Sequence, residues 1–125
     1  MADPRRQTGS TGEQLAAEHL LRRGFDIVER NFRTRWGELD IIAFDGHTLV
    51  FCEVKCRQAS GPGATVDPLE SVRPAKRAQV RRMAARWLVE RSERPRAQEL
   101  RFDVVGVILD RRGRLVRLDH LEGAF

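Results

Sequence analysis

The chain has 125 residues, enough for one domain with a real core and too few for two units of typical size. Its formal charge of +5 and pI of about 10.5 favour an anionic partner, and nucleic acid over a membrane surface, because no strongly apolar amphipathic segment accompanies the charge. No apolar run approaches the ~20 residues of a membrane span, and the opening MADPRRQTGSTGEQ lacks the hydrophobic stretch of a signal sequence, so a single cytoplasmic domain over 1–125 is expected, with residues 1–9 as a flexible tail.

A helix is expected from Ser10 to Arg23, stopped by Gly24. At about 100° per residue Ala16, Ala17, Leu20 and Leu21 share a face, and Glu13 projects from the middle of it. Two readings of Glu13 stand side by side: Ser10-Thr11-Gly12-Glu13 fits a capping box, and an acid on the inner face also points toward a site. Strands follow over Phe25–Phe32, Ile41–Phe44 and Leu49–Val54, the last two joined by the hairpin signal Asp45-Gly46-His47. Cys52 and Cys56 would stand about 13 Å apart in an extended strand, beyond disulfide reach, and read as reduced thiols. RQASGPGATVDP is a Gly/Pro-rich loop expected to be mobile and close to whatever the strands present. A second helix spans Ser71 to Arg91, with Val80, Met83, Ala84 and Trp87 as its apolar stripe, and two strands close the chain in RFDVVGVIL and GRLVRLDHL. The order α-β-β-β-α-β-β gives an α/β or α+β domain, a sheet with helices packed on it.

The charged pairs inside the strands carry the functional signal. With alternating faces, Glu38, Asp40, Ile42 and Phe44 share one side of their strand, and Leu49, Phe51, Glu53 and Lys55 one side of the next. Folding the hairpin at Asp45–His47 brings Asp40 opposite the Glu53 region. Carboxylates this close repel, and desolvating them costs several kcal/mol unless a cation or a proton compensates. A divalent metal does so: hard oxygen ligands suit Mg²⁺, with Mn²⁺ as the alternative, and such an ion orients a phosphodiester and polarises an attacking water. Lys55 would then position that water or stabilise the charge of the transition state. The competing explanation is an ion-pair ladder with Glu53 held by Lys55 or an arginine. Lys55 and Lys76 are the only lysines among 23 basic residues, and Lys76 projects between Val72, Val80 and Met83, toward the sheet. Arg73, Arg77 and Arg81, with Arg82 beside them, have the forks to contact phosphate.

Asp40, a short hairpin and then Glu53-Val54-Lys55 resemble the D…(D/E)-x-K signature of the PD-(D/E)XK nuclease superfamily. GEQLAAEHLLRRGFDIVERNFRTRWGELDIIAFDGHTLVFCEVKCR, with RFDVVGV later, closely resembles the YraN family, small bacterial proteins similar in fold to archaeal Holliday-junction resolvases. The resemblance covers nearly the whole chain and implies a restriction-endonuclease-like core, a mixed β-sheet flanked by helices. It also implies Asp40 and Glu53, with the Val54 backbone carbonyl, as metal ligands, Lys55 as the catalytic lysine, Glu13 as the acid from the first helix and Glu38 as an auxiliary acid. Leu39 stands where the superfamily's name has proline.

Two functions follow. One is a metal-dependent endonuclease acting on DNA, at branched or structured sites, with Arg73, Lys76, Arg77 and Arg81 on the nucleic acid; two cuts in a four-way junction would call for a symmetric homodimer. The other is a catalytically silent nucleic-acid-binding module of the same fold, working with a recombination, repair or DNA-uptake partner. With no tyrosine and few aromatic residues, backbone and shape recognition outweigh base stacking in either case.

Overall fold

Runs rich in Ile, Val and Phe, punctuated by turn residues, assemble into one five-stranded sheet. The computed structural model describes residues 4–59 and 73–125. Its elements are α1 (Pro4–Arg22), β1 (Asp26–Thr34), β2 (Gly37–Phe44), β3 (Thr48–Gln58), α2 (Pro74–Glu90), β4 (Glu99–Leu109) and β5 (Leu115–Leu121), the expected α-β-β-β-α-β-β order. The spatial order of the strands matches their order along the chain. The pairs β1–β2, β2–β3 and β4–β5 are antiparallel and β3–β4 is parallel, so the sheet is mixed. A parallel pair demands a crossover connection, and the segment containing α2 supplies it.

Among the described residues one helix covers each face. Ala16, Ala17 and Leu20 of α1 pack against Ile41, Ala43, Val50, Cys52, Val105 and Val107. Val80, Met83, Ala84 and Trp87 of α2, all buried, pack against Phe32, Leu39, Ile42, Leu49 and Phe51. The β2–β3 turn forms as its sequence requires: Asp45 Oδ1 accepts the amides of His47 (2.9 Å) and Thr48 (2.7 Å), and Gly46 takes the positive φ of 99°. Most of RQASGPGATVDP, and the start expected for the second helix at Ser71 and Val72, lie outside the described residues. Both cysteines are free thiols. Among the described residues no helix is long and apolar enough to cross a membrane.

Three local expectations are corrected. Helix α1 reaches back to Pro4, so the segment expected as a tail through residue 9 is helical from there on, proline being tolerated in a first turn where its missing N–H has no partner to lose. Ser10 therefore lies inside the helix and is not its cap, and Glu13 is left for another role. Leu21, expected on the inner face, is 54% exposed because it sits at the edge of the stripe defined by Ala16 and Leu20.

Two features fix α1 to the sheet. At Gly12 the helix backbone passes so close to β3 that a Cβ would lie 2.5 Å from Cys56 Cβ and 2.6 Å from its Sγ. At the other end His19 Nε2 lies 2.9 Å from His120 Nδ1 of β5, and His120 Nε2 lies 2.8 Å from Asp103 Oδ2 of β4. Asp103 is fully buried, and Arg101 (2.8 and 3.0 Å) and the Gly123 amide (3.0 Å) donate to it as well. Burial pushes the Asp103 carboxyl up, but the bonds from His120, Arg101 and Gly123 outweigh it and hold the group below its ordinary value.

Gly12→Ala is expected to cost about 1–3 kcal/mol, seen as a lower urea midpoint, whereas Gly9→Ala, with nothing within 4 Å of its added methyl, should be neutral or stabilising. Asp103→Asn should cost about 1.5–3 kcal/mol at pH 7, because it replaces a fully buried charged acceptor shared by Arg101, His120 and the Gly123 amide with a neutral amide. Since the Asp103 carboxyl is depressed in the folded state, its contribution is complete above the ordinary carboxylate range and is lost as pH falls through the folded value. Urea melts of wild type and Asp103→Asn should accordingly converge toward acid pH.

Candidate active site

The β2–β3 ladder pairs Phe44 with Leu49 and ends at Ile41 with Cys52. One step further that register sets Asp40 opposite Glu53, as the hairpin reading anticipated, but the strands have parted. The Val54 amide, which would otherwise need a carbonyl from β2, donates to Asp40 Oδ2 at 2.8 Å. Strand β3 runs on beside β4 as far as Gln58 with Leu109, so the opening is a fork on one side of β3 only. Val54 is thus tied to the site through its amide.

Strict alternation along β2 does not hold. Leu39 packs with Ile42 in the α2-side cluster, while Ile41 and Ala43 pack under α1, so the alternation slips at Asp40. Glu38 and Asp40 consequently leave the side shared by Ile42 and Phe44. The partner position on β1 explains the slip. Arg30 pairs with Ile41 and Phe32 with Leu39, leaving Asn31 opposite Asp40, and Asn31 has a φ of 57°. Asparagine is among the few residues that enter this left-handed region at low cost. The kink turns Glu38 and Asp40 toward Glu13 of α1, and one carboxylate oxygen from each of the three lies within 4.8 Å of the others.

Asn31 is the residue that sequence reasoning missed. With its amide oriented by its neighbours, the nitrogen donates to Glu13 Oε2 at 3.0 Å and to Glu38 Oε1, bridging two like charges. The signal was an asparagine inside an otherwise strand-forming run, a residue depleted in strands. Arg30 adds a longer contact to Glu13, 3.9 Å, and donates to Gln14 at 2.9 Å, while Arg33 lies 3.5 Å from Glu38.

Glu53 lies on the α2 side of the fork, 5% exposed and outside the three-carboxylate group. Its Oε1 lies 3.5 Å from Lys76 Nζ and 3.9 Å from Lys55 Nζ, so both lysines of the chain converge on it. Its Oε2 is buried with no hydrogen-bond partner. Burial, then repulsion from Asp40, pushes the Glu53 carboxyl up to about 7 against the pull of Lys76 and Lys55. Burial also raises Asp40, with the Val54 amide opposing and Glu38 adding, and burial followed by Asp40 and Glu38 raises Glu13. Three acids are therefore held above their ordinary values, which is the signature of a set short of positive charge.

Arg73 precedes the helix and accepts the Arg77 amide on its carbonyl at 2.9 Å, and the Arg81 guanidinium lies 5.1 Å from the Phe102 ring centre and 5.9 Å from that of Phe125. Lys76 turns inward to Glu53, as its angular position between Val80 and Met83 indicated.

Comparison with known proteins places this geometry in a family setting. Residues 12–107 match the model described as "Uncharacterised protein family UPF0102". A UPF0102 protein of Acidothermus cellulolyticus is 46% identical over 99% of this chain and 97% of its own length. Relatives from Frankia casuarinae, 47% identical over 94% of each chain, and Pelotomaculum thermopropionicum, 40% identical over the whole of each, carry the same family name.

Because the Glu53 carboxyl is raised in the folded state, its contribution to stability is complete below the ordinary glutamate value and is lost as pH rises through about 7. The protein without divalent cations should therefore lose stability between pH 5 and 8. Glu53→Gln should remove most of that slope and gain on the order of 2 kcal/mol at pH 8, measured by urea denaturation in EDTA.

Proposed function

The chain belongs to the UPF0102 (YraN) family, and we propose that it is a metal-dependent endonuclease hydrolysing phosphodiester bonds in DNA, with branched or structured DNA as its substrate class. The observation that carries this reading is the buried, unpartnered Oε2 of Glu53 beside a fork that already gathers Asp40, Glu38 and Glu13. An acid buried without a partner for one oxygen costs stability and suits a ligand that arrives later. Hard-oxygen donors suit Mg²⁺ or Mn²⁺; Asp40, Glu13 and Glu38, whose oxygens lie within 4.8 Å of one another, would hold such an ion, with Glu53 and the Val54 carbonyl as the further ligands this reading requires to turn toward it. Such an ion, when bound, polarises a phosphoryl oxygen and lowers the pKa of a water.

The chain's own groups divide the remaining work. The Val54 amide fixes one Asp40 oxygen and leaves the other to bind. Asn31 holds Glu13 and Glu38 at a separation that their charges alone would not allow. Lys55 and Lys76 stand at Glu53, where an ammonium can orient a nucleophilic water or meet the negative charge that builds on phosphorus-bound oxygens. Arg73, Arg77 and Arg81 extend positive charge along α2 for the DNA backbone.

The pairing of both lysines with Glu53 also favours a second reading, a nucleic-acid-binding module without turnover, and one experiment separates the two. Labelled duplex, single-stranded, flap and four-way-junction DNAs are incubated with Mg²⁺ or Mn²⁺ and wild type, Asp40→Ala or Glu53→Ala. Metal-dependent cutting by wild type, reduced at least about a hundredfold in both variants with DNA binding kept, is the expected result. Wild type that binds a junction and cuts nothing would replace the nuclease with the binding module.

A further inference from the structure

Beside the acids lies a second basic surface, on the side of the α2 apolar stripe away from Arg73, Arg77 and Arg81. Arg33 and Thr34 end β1, and Arg35 and Trp36 form the turn into β2. The Thr34 hydroxyl oxygen accepts the Trp36 amide at 3.0 Å, and Gly37, at a φ of 136°, is seated so closely on α2 that a Cβ would lie 2.9 Å from Gln79 Nε2. The turn is therefore built against the helix. Over the half-buried Trp36 ring lie two guanidinium groups, Arg35 from the turn at 4.6 Å from the ring centre and Arg82 from α2 at 5.8 Å. Trp36 lines a cavity of about 400 Å³ with Arg33, Thr34, Arg35, Arg86 and Glu90. Arg33 Nε, on the rim, is 3.5 Å from Glu38 Oε2, so the cavity ends one side chain from the three carboxylates.

We infer that this surface is a clamp for the phosphodiester backbone of DNA, gripping the strand that leads away from the carboxylate site. Among the described residues four arginines face two acids there, Glu38 on Arg33 and Glu90 on Arg86. An arginine stacked on an aromatic face keeps its N–H edge free for bidentate phosphate contact and has less freedom left to lose on binding. Trp36 thus acts as the platform that orders Arg35 and Arg82, and the clamp reads backbone rather than bases. The inference rests on the nuclease reading for the identity of its ligand, but its test does not depend on cleavage.

The test is fluorescence anisotropy of a labelled duplex and a labelled four-way junction in EDTA, across a KCl series. Arg35→Gln should weaken binding roughly five-fold and make the slope of log affinity against log salt shallower by about 0.9. Trp36→Ala should weaken binding by a similar factor with every charge in place, Trp36→Phe should restore most of it, and Arg35→Gln with Trp36→Ala should be no weaker than the worse single variant. Trp87 is 1% exposed, so a DNA-dependent change in tryptophan emission reports Trp36. Should Trp36→Ala fail to fold, the exposed Arg35→Gln and the aromatic Trp36→Phe still decide the matter. DNA affinity and salt slope unchanged in Arg35→Gln and Trp36→Ala, or absence of DNA binding by wild type, would overturn the clamp. Asp40-dependent cutting with those two variants binding as wild type would sink the clamp and leave the nuclease. Variant-sensitive binding without any cutting would do the opposite.

Discussion

The bond from the Val54 amide to the Asp40 carboxylate is the contact on which the arrangement of the acids depends. A strand can leave its neighbour only if the abandoned backbone groups find other partners, since a buried amide without one costs roughly 1–3 kcal/mol. Here the partner is a side chain of the departing strand, so the fork carries its own seal. The same bond points one Asp40 oxygen at β3 and brings the carboxylate within reach of Glu53 on one side and of Glu13 and Glu38 on the other. Local backbone chemistry and the electrostatics of the site are one feature seen at two scales.

Around that contact the fold balances repulsion with placement rather than with neutralisation. The two lysines stand at Glu53 and the Asn31 amide stands between Glu13 and Glu38, while Asp40 lies between the two groups. Burial dominates in raising Glu13, Asp40 and Glu53, and their mutual repulsion adds to it. Acids in this condition make the fork less stable than an apolar one would be. That cost is borne by the two well-packed layers on either face of the sheet, where Trp87, Phe51, Leu39 and Ile41 are almost wholly buried.

Much of this was legible in the residues. The periodicity of Val80, Met83, Ala84 and Trp87 oriented α2 and with it Lys76, and the turn at Asp45–His47 fixed the register that brings Asp40 to Glu53. Other features depended on contacts that spacing cannot encode. The slip in alternation at Asp40 follows from the left-handed backbone of Asn31 on a neighbouring strand. The start of α1 is obscured because Ser10-Thr11-Gly12-Glu13 has the pattern of a cap wherever it occurs, and the helical backbone reaching back to Pro4 shows it to be mid-helix. The stacking of Arg81 on Phe102 and Phe125 depends on Phe125 lying against Phe102 of β4, a contact that the spacing along α2 does not encode.

The double attachment of α1 has a consequence for how the molecule is wired. The helix is pinned at its middle by Gly12 against Cys56 and near its end by His19 against His120 and Asp103, and Glu13 lies directly beside the first pin. A rigid rod held at two points has little freedom to pivot, so the distance between Glu13 and the strand acids is set jointly by both attachments. Strand β5 contributes no acid to the fork, yet through His120 it becomes part of the ruler against which the fork is measured. The first helix and the last strand of the described fold are thereby joined in a single mechanical frame, with the carboxylates as the gap it gauges.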